Sequence, residues 1–183
     1  MKIETSQVTR LRLTELDGLD SVTVMLENFE PGKGKIHIEC YGESWSSFWP
    51  GMSGDSVEVF FCRCNESYLA GNLAPLLNSS VPDLDGLVNV VRKEVITQRR
   101  SKELDESDAR ELWDEAENLV NANSIKELQH YDILPKMLGR EWWYSIPETV
   151  NPKYDYLCRI IRAVQAGLTQ YLEEQENNME TTQ

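Results

Sequence analysis

Hydrophobic and polar residues alternate over much of the first fifty positions. Two segments carry an apolar residue at every second position: Val22, Val24 and Leu26, then Ile36, Ile38 and Cys40. A period of two is typical of a β-strand with one buried and one polar face. The turn signal at residues 31–34 separates the segments and favours an antiparallel hairpin. We therefore predict an antiparallel meander of three to four strands, in which the segment from Trp45 to Trp49 extends the last strand or forms a fourth.

The spacing of apolar residues becomes helical from Ser53 onward. Apolar side chains then recur at intervals of three and four residues, as on the buried face of a helix. Proline and capping residues indicate where helices start: near Ser80-Val81-Pro82, at Ser107, at Asn123-Ser124 and at Asn151-Pro152. Pro75 ends the first helical segment, which is one helix or a pair of short ones. The pattern predicts about five helices.

Strands precede helices along the chain, and this order favours an α+β fold over a parallel βαβ sheet. We predict that the meander packs against the helices in a single domain over residues 1–172, strand-rich over 1–50 and helical over 53–172. A chain of 183 residues is long enough to bury such a core. Residues 173–183 are acidic and lose the apolar period, so the sequence predicts a disordered tail there.

Acidic residues clearly outnumber basic ones. The chain has 18 Lys and Arg against 31 Asp and Glu, which gives a formal net charge of −13 at pH 7. Affinity for nucleic acid comes largely from basic groups that displace counterions, so this balance disfavours direct nucleic-acid binding. No apolar run approaches the roughly 20 residues that cross a bilayer, and the N-terminus lacks the pattern of a secretory signal. We expect a soluble cytoplasmic protein with no membrane partner.

The sequence lacks the motifs that carry well-known chemistry. It contains no nucleophile elbow, no HExxH pair and no phosphate-binding glycine loop. Cys62 and Cys64 have one residue between them, whereas paired zinc ligands usually have two. Because Cys64 continues an apolar helical face, we expect it to pack in a core rather than to bind metal. We predict no enzymatic activity, no metal and no cofactor.

The most distinctive feature of the sequence is a concentration of carboxylates. Residues 101–118 include eight acidic and only two basic side chains. The candidate partner-binding residues in this segment are Asp108, Glu111, Asp114 and Glu115. Carboxylates at helical spacing can imitate backbone phosphates and occupy the basic groove of a nucleic-acid-binding protein. The alternative is a solvated helix face that only keeps the protein soluble.

Two further groups of residues are candidates for contacts. A basic cluster precedes the acidic segment and consists of Arg92, Lys93, Arg99, Arg100 and Lys102. This cluster either neutralises the acidic helix within one hairpin or contacts nucleic acid as a local patch. Trp142 and Trp143 are candidate anchors for a protein partner, because Trp buries a large area at interfaces. Adjacent side chains rarely both point inward, so we expect one of this pair to be exposed.

Three segments of the chain carry a family resemblance. The strings GKIHIECYG at residues 34–42, FFCRCNESYLAGNL at residues 60–73 and YLCRIIRAVQ at residues 156–165 are similar to those of small accessory proteins of enteric tailed phages and prophages. The resemblance covers most of the chain and brings no catalytic signature with it. It implies a bacterial cytoplasm during infection or lysogeny, where host takeover, recombination and counter-defence proteins are common.

Two functional hypotheses follow, and an enzyme with an unrecognised carboxylate site is a third alternative that the sequence does not test. In the first, the chain is a non-enzymatic binder that modulates or inhibits a host or phage protein. The partner would include basic nucleic-acid enzymes if the acidic helix acts as a DNA mimic. In the second, the chain is an accessory factor of phage recombination or replication, and the basic cluster contacts phosphates while an aromatic side chain such as Trp45 stacks on bases.

Overall fold

The alternating segments form a four-stranded antiparallel sheet. A computed structural model describes residues 1–122 and 124–180 of the chain. The strands are β1 (Thr9–Leu13), β2 (Val22–Glu30), β3 (Lys33–Cys40) and β4 (Glu43–Trp49), and they pair in the order β1-β2-β3-β4. Trp45 therefore lies on a separate fourth strand, opposite Ile38 of β3. The predicted meander is confirmed, and it has four strands, the larger of the two predicted numbers.

Helices cover one face of this sheet. They are α1 (Val57–Arg63), α2 (Glu66–Leu73) and α7 (Pro152–Glu180). Val24 and Ile38 are opposite each other on the inner face of the sheet, and they join Phe61 and Ile161 in one buried core. Burial of the period-two residues against the helices is what holds the meander together.

The residues between α2 and α7 build a second set of elements. These are β5 (Ser80–Pro82), α3 (Leu84–Ser101), α4 (Glu106–Glu115), a 3₁₀ helix at Ala116–Asn121, α5 (Ile125–Leu128), α6 (Ile133–Leu138), a 3₁₀ helix at Trp142–Ser145 and β6 (Glu148–Val150). Leu87 and Val91 of α3 pack with Leu112 of α4 and with Leu134 of α6. The short strands β5 and β6 pair antiparallel, with Ser80 opposite Val150.

The chain divides into two compact units. The first unit contains Met1–Ser79 together with the chain from Pro152 onward, and the inserted unit contains Ser80–Asn151. Each unit buries its own hydrophobic cluster, and the two clusters share no residue. Residues 1–172, which the sequence predicts to form a single domain, thus contain two separate hydrophobic cores. The α+β class is confirmed, since an antiparallel sheet comes first and helices dominate the rest.

Two of the expected helix starts are wrong. Residues 80–82 form β5, and α3 begins later because the carboxylate of Asp83 accepts a hydrogen bond of 2.8 Å from the backbone N–H of Gly86. Ser107 is not a cap, since Asp105 accepts a bond of 2.8 Å from the N–H of Asp108. In both cases an aspartate at a position other than the predicted one caps the helix and determines where it starts.

The other expected starts hold. Ser124 caps α5 by accepting from the N–H of Glu127 at 3.4 Å, whereas Asn123 lies outside the described residues. Helix α7 begins at Pro152 as expected. It continues through Glu180 instead of ending near Leu172, so the described part of the expected tail is helical. A bond of 2.9 Å from Gln170 to Glu174 supports this extension at i,i+4 spacing, and residues 181–183 lie outside the described residues.

Candidate functional site

The acidic face of α4, which consists of Asp108, Glu111, Asp114 and Glu115, lies at the surface of the inserted unit. The first three side chains are exposed and Glu115 is half-buried. Leu112 of the same helix turns the other way into the core. Within residues 1–122 and 124–180, none of the four carboxylates forms an ion pair or a side-chain hydrogen bond. Asp114 nevertheless lines a groove together with Arg99, Arg100 and Arg110, whereas Asp108, Glu111 and Glu115 do not line that groove.

Arg92 does not extend from the basic cluster into solvent. Its guanidinium bonds to the Glu117 carboxylate at 2.6 Å, donates to the carbonyl of Trp113 at 3.3 Å and lies 4.8 Å from the centroid of the Trp113 ring. These three contacts tie α3 to α4 and to the 3₁₀ helix that follows it. Arg92 thus neutralises a carboxylate within the hairpin, but that carboxylate is not part of the acidic face of α4.

The rest of the basic cluster sits at the end of α3. Arg99 donates to the carbonyl of Leu104 at 3.5 Å, and Lys102 ends the helix in the left-handed conformation with φ of 65°. Lys93 and Arg100 are exposed and make no ion pair within the described part of the chain. Of the five basic residues, Arg92 is thus occupied by contacts with α4 and the following 3₁₀ helix, whereas Lys93 and Arg100 are exposed.

A charged groove of about 660 Å³ lies between α3 and α4. Side chains of both signs line it: Arg99, Arg100, Arg110, Glu106 and Asp114. Trp113 forms part of its wall and is 37% exposed. The sequence pattern does not predict Trp113 as a site residue, because its position on the border between the buried and exposed faces of α4 depends on where α3 packs.

The two adjacent tryptophans take opposite positions. Trp142 is 6% exposed and packs in the core of the inserted unit, whereas Trp143 is 48% exposed. Their rings meet edge to face with centroids 6.0 Å apart, and Tyr144 continues the row at 5.9 Å from Trp143. The expectation that one of the pair is exposed holds. Trp142 anchors this segment in the core of the inserted unit, whereas Trp143 and Tyr144 are exposed at its surface.

A second cavity, called here the apolar groove, lies in the first unit and has a volume of about 640 Å³. Trp45 of β4 and Tyr156 of α7 both line it, and their rings contact each other with centroids 6.5 Å apart. The loop after α2 contributes Leu76, whose side chain is almost fully exposed. The candidate site residues predicted from the sequence include Trp45 but neither Tyr156 nor Leu76. No local signal exists, since the three come from segments far apart in the chain.

Burial changes the acidity of three of the four cysteine thiols. Burial raises the pKa of Cys62 and Cys64, and it raises the pKa of Cys158 to about 11. A thiol must lose its proton to act as a nucleophile or a metal ligand, so the raised pKa values of Cys62, Cys64 and Cys158 disfavour both roles near pH 7. Within the described residues, no group of three or more His, Cys, Asp or Glu side chains is placed to hold a metal ion.

The fold defines an acidic α+β protein in which a mainly helical unit is inserted between the sheet and the last helix. Residues 1–170 match a family model described as a phage family, which spans both units. The chain belongs to this family, Phage_phiTE_072, and the resemblance to phage proteins is confirmed. No curated protein and no solved structure matches the chain. None of the helices in the described residues is both long and apolar enough to traverse a bilayer.

Proposed function

We propose that this phage protein is a non-enzymatic accessory protein that acts in the host cytoplasm by binding a host or phage protein. The acidic face of α4 is the contact surface, and a basic nucleic-acid enzyme is the kind of partner that fits it. The observation that carries the proposal is the group of carboxylates at Asp108, Glu111, Asp114 and Glu115, which lie on one regular helix and have no ion-pair partner in the described part of the chain.

Physical chemistry favours an external cation at this face. Exposed carboxylates lose little by association with a basic surface, because they keep much of their hydration and gain Coulomb attraction to fixed charges. Arg92 does not compensate them, because its contacts with Glu117 and Trp113 occupy it, and Arg110 on α4 forms no ion pair with them in the described part of the chain. The helix also fixes the spacing of the carboxylates, which lowers the entropy cost of presenting them to a partner.

Trp143 and Tyr144 supply the apolar part of the contact. Both are exposed in the same unit, and the buried Trp142 holds their turn in place. Aromatic side chains of this kind carry much of the binding energy in protein interfaces. The acidic face then governs the rate and specificity of association, and the aromatic pair contributes to its lifetime.

The charged groove favours a second candidate, an accessory factor that contacts nucleic acid. Arg99, Arg100 and Arg110 line this groove beside Trp113, which offers a ring for stacking. Glu106 and Asp114 line the same groove and repel phosphate, and the net charge of −13 opposes approach to a polyanion. We therefore favour protein binding over nucleic-acid binding as the function of this protein.

Capture from host lysate tests the proposal. Tagged wild-type protein, the variant Glu111→Lys/Glu115→Lys and the control Glu173→Lys/Glu176→Lys are incubated with infected and uninfected lysates, with and without nuclease. Both variants change the net charge equally, but the control changes exposed positions on α7. We expect a protein that the wild type and the control retain, that the α4 variant loses and that high salt releases.

Two outcomes contradict the proposal. Equal capture by the α4 variant removes the acidic face from the mechanism. Capture that disappears with nuclease, accompanied by DNA or RNA in the untreated sample, supports the accessory factor instead. For a purified partner, we expect the double reversal to raise Kd by at least about tenfold, which corresponds to roughly 1.4 kcal/mol.

A further inference from the structure

Strand β4 is an open edge of the four-stranded sheet. Within the described residues it pairs only with β3, because the strands follow the order β1-β2-β3-β4. Its seven residues, Glu43–Trp49, run opposite β3 without a shift in register. A regular edge of this length presents a row of backbone groups with which another strand can pair.

The turn before β4 determines which of its backbone groups point outward. Tyr41 and Gly42 have positive φ values of 48° and 80°, as in a type I′ turn of two residues. The residues that flank such a turn form a hydrogen-bonded pair, and pairs with and without hydrogen bonds alternate from there. The N–H and C=O groups of Ser44, Ser46 and Phe48 therefore point away from β3, and they have no hydrogen-bond partner within the described residues.

The two edges of this sheet differ in how they resist pairing. Charged side chains on an edge strand oppose the addition of a further strand. Strand β1 exposes Arg10 and Arg12 near its middle. Strand β4 carries one charge, at its first residue Glu43, and it contains neither proline nor a bulge. A further strand can therefore be added at β4 more readily than at β1.

The side chains of β4 fit a second copy of the same strand. When Ser46 pairs antiparallel with Ser46 of the second copy, all three outward-pointing residues of each strand form hydrogen-bonded pairs. On the exposed face, Phe48 then lies opposite Ser44 of the second copy. On the inner face, Trp45 lies opposite Ser47 of the second copy. Each large ring thus meets a small side chain, and this fit favours a second copy over an unrelated strand.

This pairing brings no like charges together. Glu43 lies opposite Trp49 of the second copy. On the exposed face, Lys35 and Glu39 of β3 lie beside β4, so each outer row of the joined sheet has Lys35 of one copy at one end and Glu39 of the other copy at the other. The central row has His37 at both ends, roughly 14 Å apart across three strand spacings. The net charge of −13 per chain still opposes association at long range.

We propose that the β4 strands of two copies pair antiparallel about a two-fold axis at Ser46, so that the protein forms a symmetric dimer with one continuous sheet. Two-fold contacts are the commonest contacts between identical chains, and addition of a strand to a sheet edge is a recurring mode of recognition. The proposal involves the first unit and does not depend on the acidic face of α4, which belongs to the inserted unit.

Sedimentation of the full-length protein over a range of concentrations tests the dimer. We expect the wild type to change from monomer to dimer as its concentration rises. Ser46→Lys should raise the dimer Kd by at least about tenfold, because it places two ammonium groups opposite each other at the axis. Ser21→Lys makes the same chemical change at an exposed position outside β4, and it should leave the Kd nearly unchanged.

Cysteine substitutions test the register. Ser46→Cys should give a covalent dimer on oxidation with copper–phenanthroline, because the Cα atoms of a hydrogen-bonded pair lie about 5.5 Å apart, within the usual range of a disulfide. Ser44→Cys is the matched control on the same face of the same strand. The two copies of residue 44 would lie roughly 14 Å apart, so this variant should give no more covalent dimer than the wild type with its four native cysteines.

Salt distinguishes this contact from capture through the acidic face of α4. We expect the dimer to become tighter as salt is added, because screening weakens the repulsion between two acidic chains and leaves the backbone hydrogen bonds in place. Capture through the acidic face should respond in the opposite direction. Ser44 and Ser46 are exposed, so their variants should keep the wild-type circular dichroism and melting temperature.

Three results would overturn the proposal. The first is a wild type that stays monomeric up to about 1 mM. The second is a dimer that Ser46→Lys leaves intact, since the contact would then lie on another surface. The third is equal cross-linking of Ser46→Cys and Ser44→Cys. None of them bears on the acidic face of α4, which the Glu111→Lys/Glu115→Lys variant tests separately.

Discussion

Gly34 lies where the sheet comes closest to α1. It is buried in β3, opposite Asn28 of β2, and the side-chain oxygen of Asn28 accepts a hydrogen bond of 2.8 Å from the N–H of Val57. This bond brings the first turn of α1 down onto the hairpin. A Cβ at position 34 would lie 2.7 Å from the carbonyl oxygen of Glu27 and closer still to the Val57 side chain. Only the absence of a side chain permits this approach.

We expect Gly34→Ala to lower the free energy of unfolding by about 1–3 kcal/mol, because the added methyl group overpacks the contact between β3 and α1. Gly71→Ala is the matched control: Gly71 lies in α2, and a Cβ there meets nothing within 4 Å. The control should be neutral or stabilise by up to about 1 kcal/mol. Urea denaturation of both variants measures the difference, and equal effects would refute the steric argument.

Arg92 connects three elements of the inserted unit. It lies on α3, its guanidinium stacks on Trp113 of α4, and it pairs with Glu117 of the following 3₁₀ helix. The side chain of Arg92 is only partly exposed, whereas that of Glu117 is largely in solvent. The stacking contact therefore resists screening by salt better than the ion pair does.

We expect Arg92→Ala to lower the free energy of unfolding by about 1–2 kcal/mol through loss of the ring contact, the ion pair and the bond to the Trp113 carbonyl. A double-mutant cycle with Glu117→Gln should give a coupling of about 0.2–1 kcal/mol that decreases at high salt. Arg100→Ala is the control, because Arg100 is exposed and has no ion pair within the described residues. A control as destabilising as Arg92→Ala would contradict the assignment.

Local patterns predicted the elements that depend on neighbouring residues. The period of two identified the strands, and Asn151 with Pro152 identified the start of α7. Pro82 was misleading because a proline at the first turn of a helix and one in a short edge strand look alike in sequence. The acidic face of α4 could also be predicted from neighbouring residues, because spacing of three and four residues defines a helix face. The apolar groove was not, because its walls meet only after the chain has folded.

At the scale of the whole molecule, the paired ends of the inserted unit are the decisive feature. Ser80 and Val150 are partners in the ladder of β5 and β6, so the chain enters and leaves this unit at adjacent points. The first unit consequently needs only a short connection between residues 79 and 152. The separate hydrophobic clusters agree with this arrangement, because neither core loses a residue when the other unit is removed.

We expect each unit to fold without the other. A chain in which a Gly-Ser linker of about four residues replaces residues 80–151 should unfold cooperatively and keep its sheet signal, and the isolated segment 80–151 should be helical. Circular dichroism during thermal unfolding measures both. A chain that ends before Pro152 is the control, and it should not fold its first unit because α7 supplies part of that core. An unfolded excision variant would show that the two cores depend on each other.

The position of the insert also determines when each part of the protein can fold during synthesis on the ribosome. Strand β4 ends at Trp49 and α7 begins at Pro152, so roughly 100 residues are translated between the sheet and the helix that completes its cover. At bacterial rates near 5–20 residues per second, this delay is on the order of 5–20 s. During it, the inserted unit can finish its own core while β2 still lacks its contacts with α7. While the nascent sheet lacks α7, chaperone binding and aggregation with neighbouring chains compete with completion of the fold.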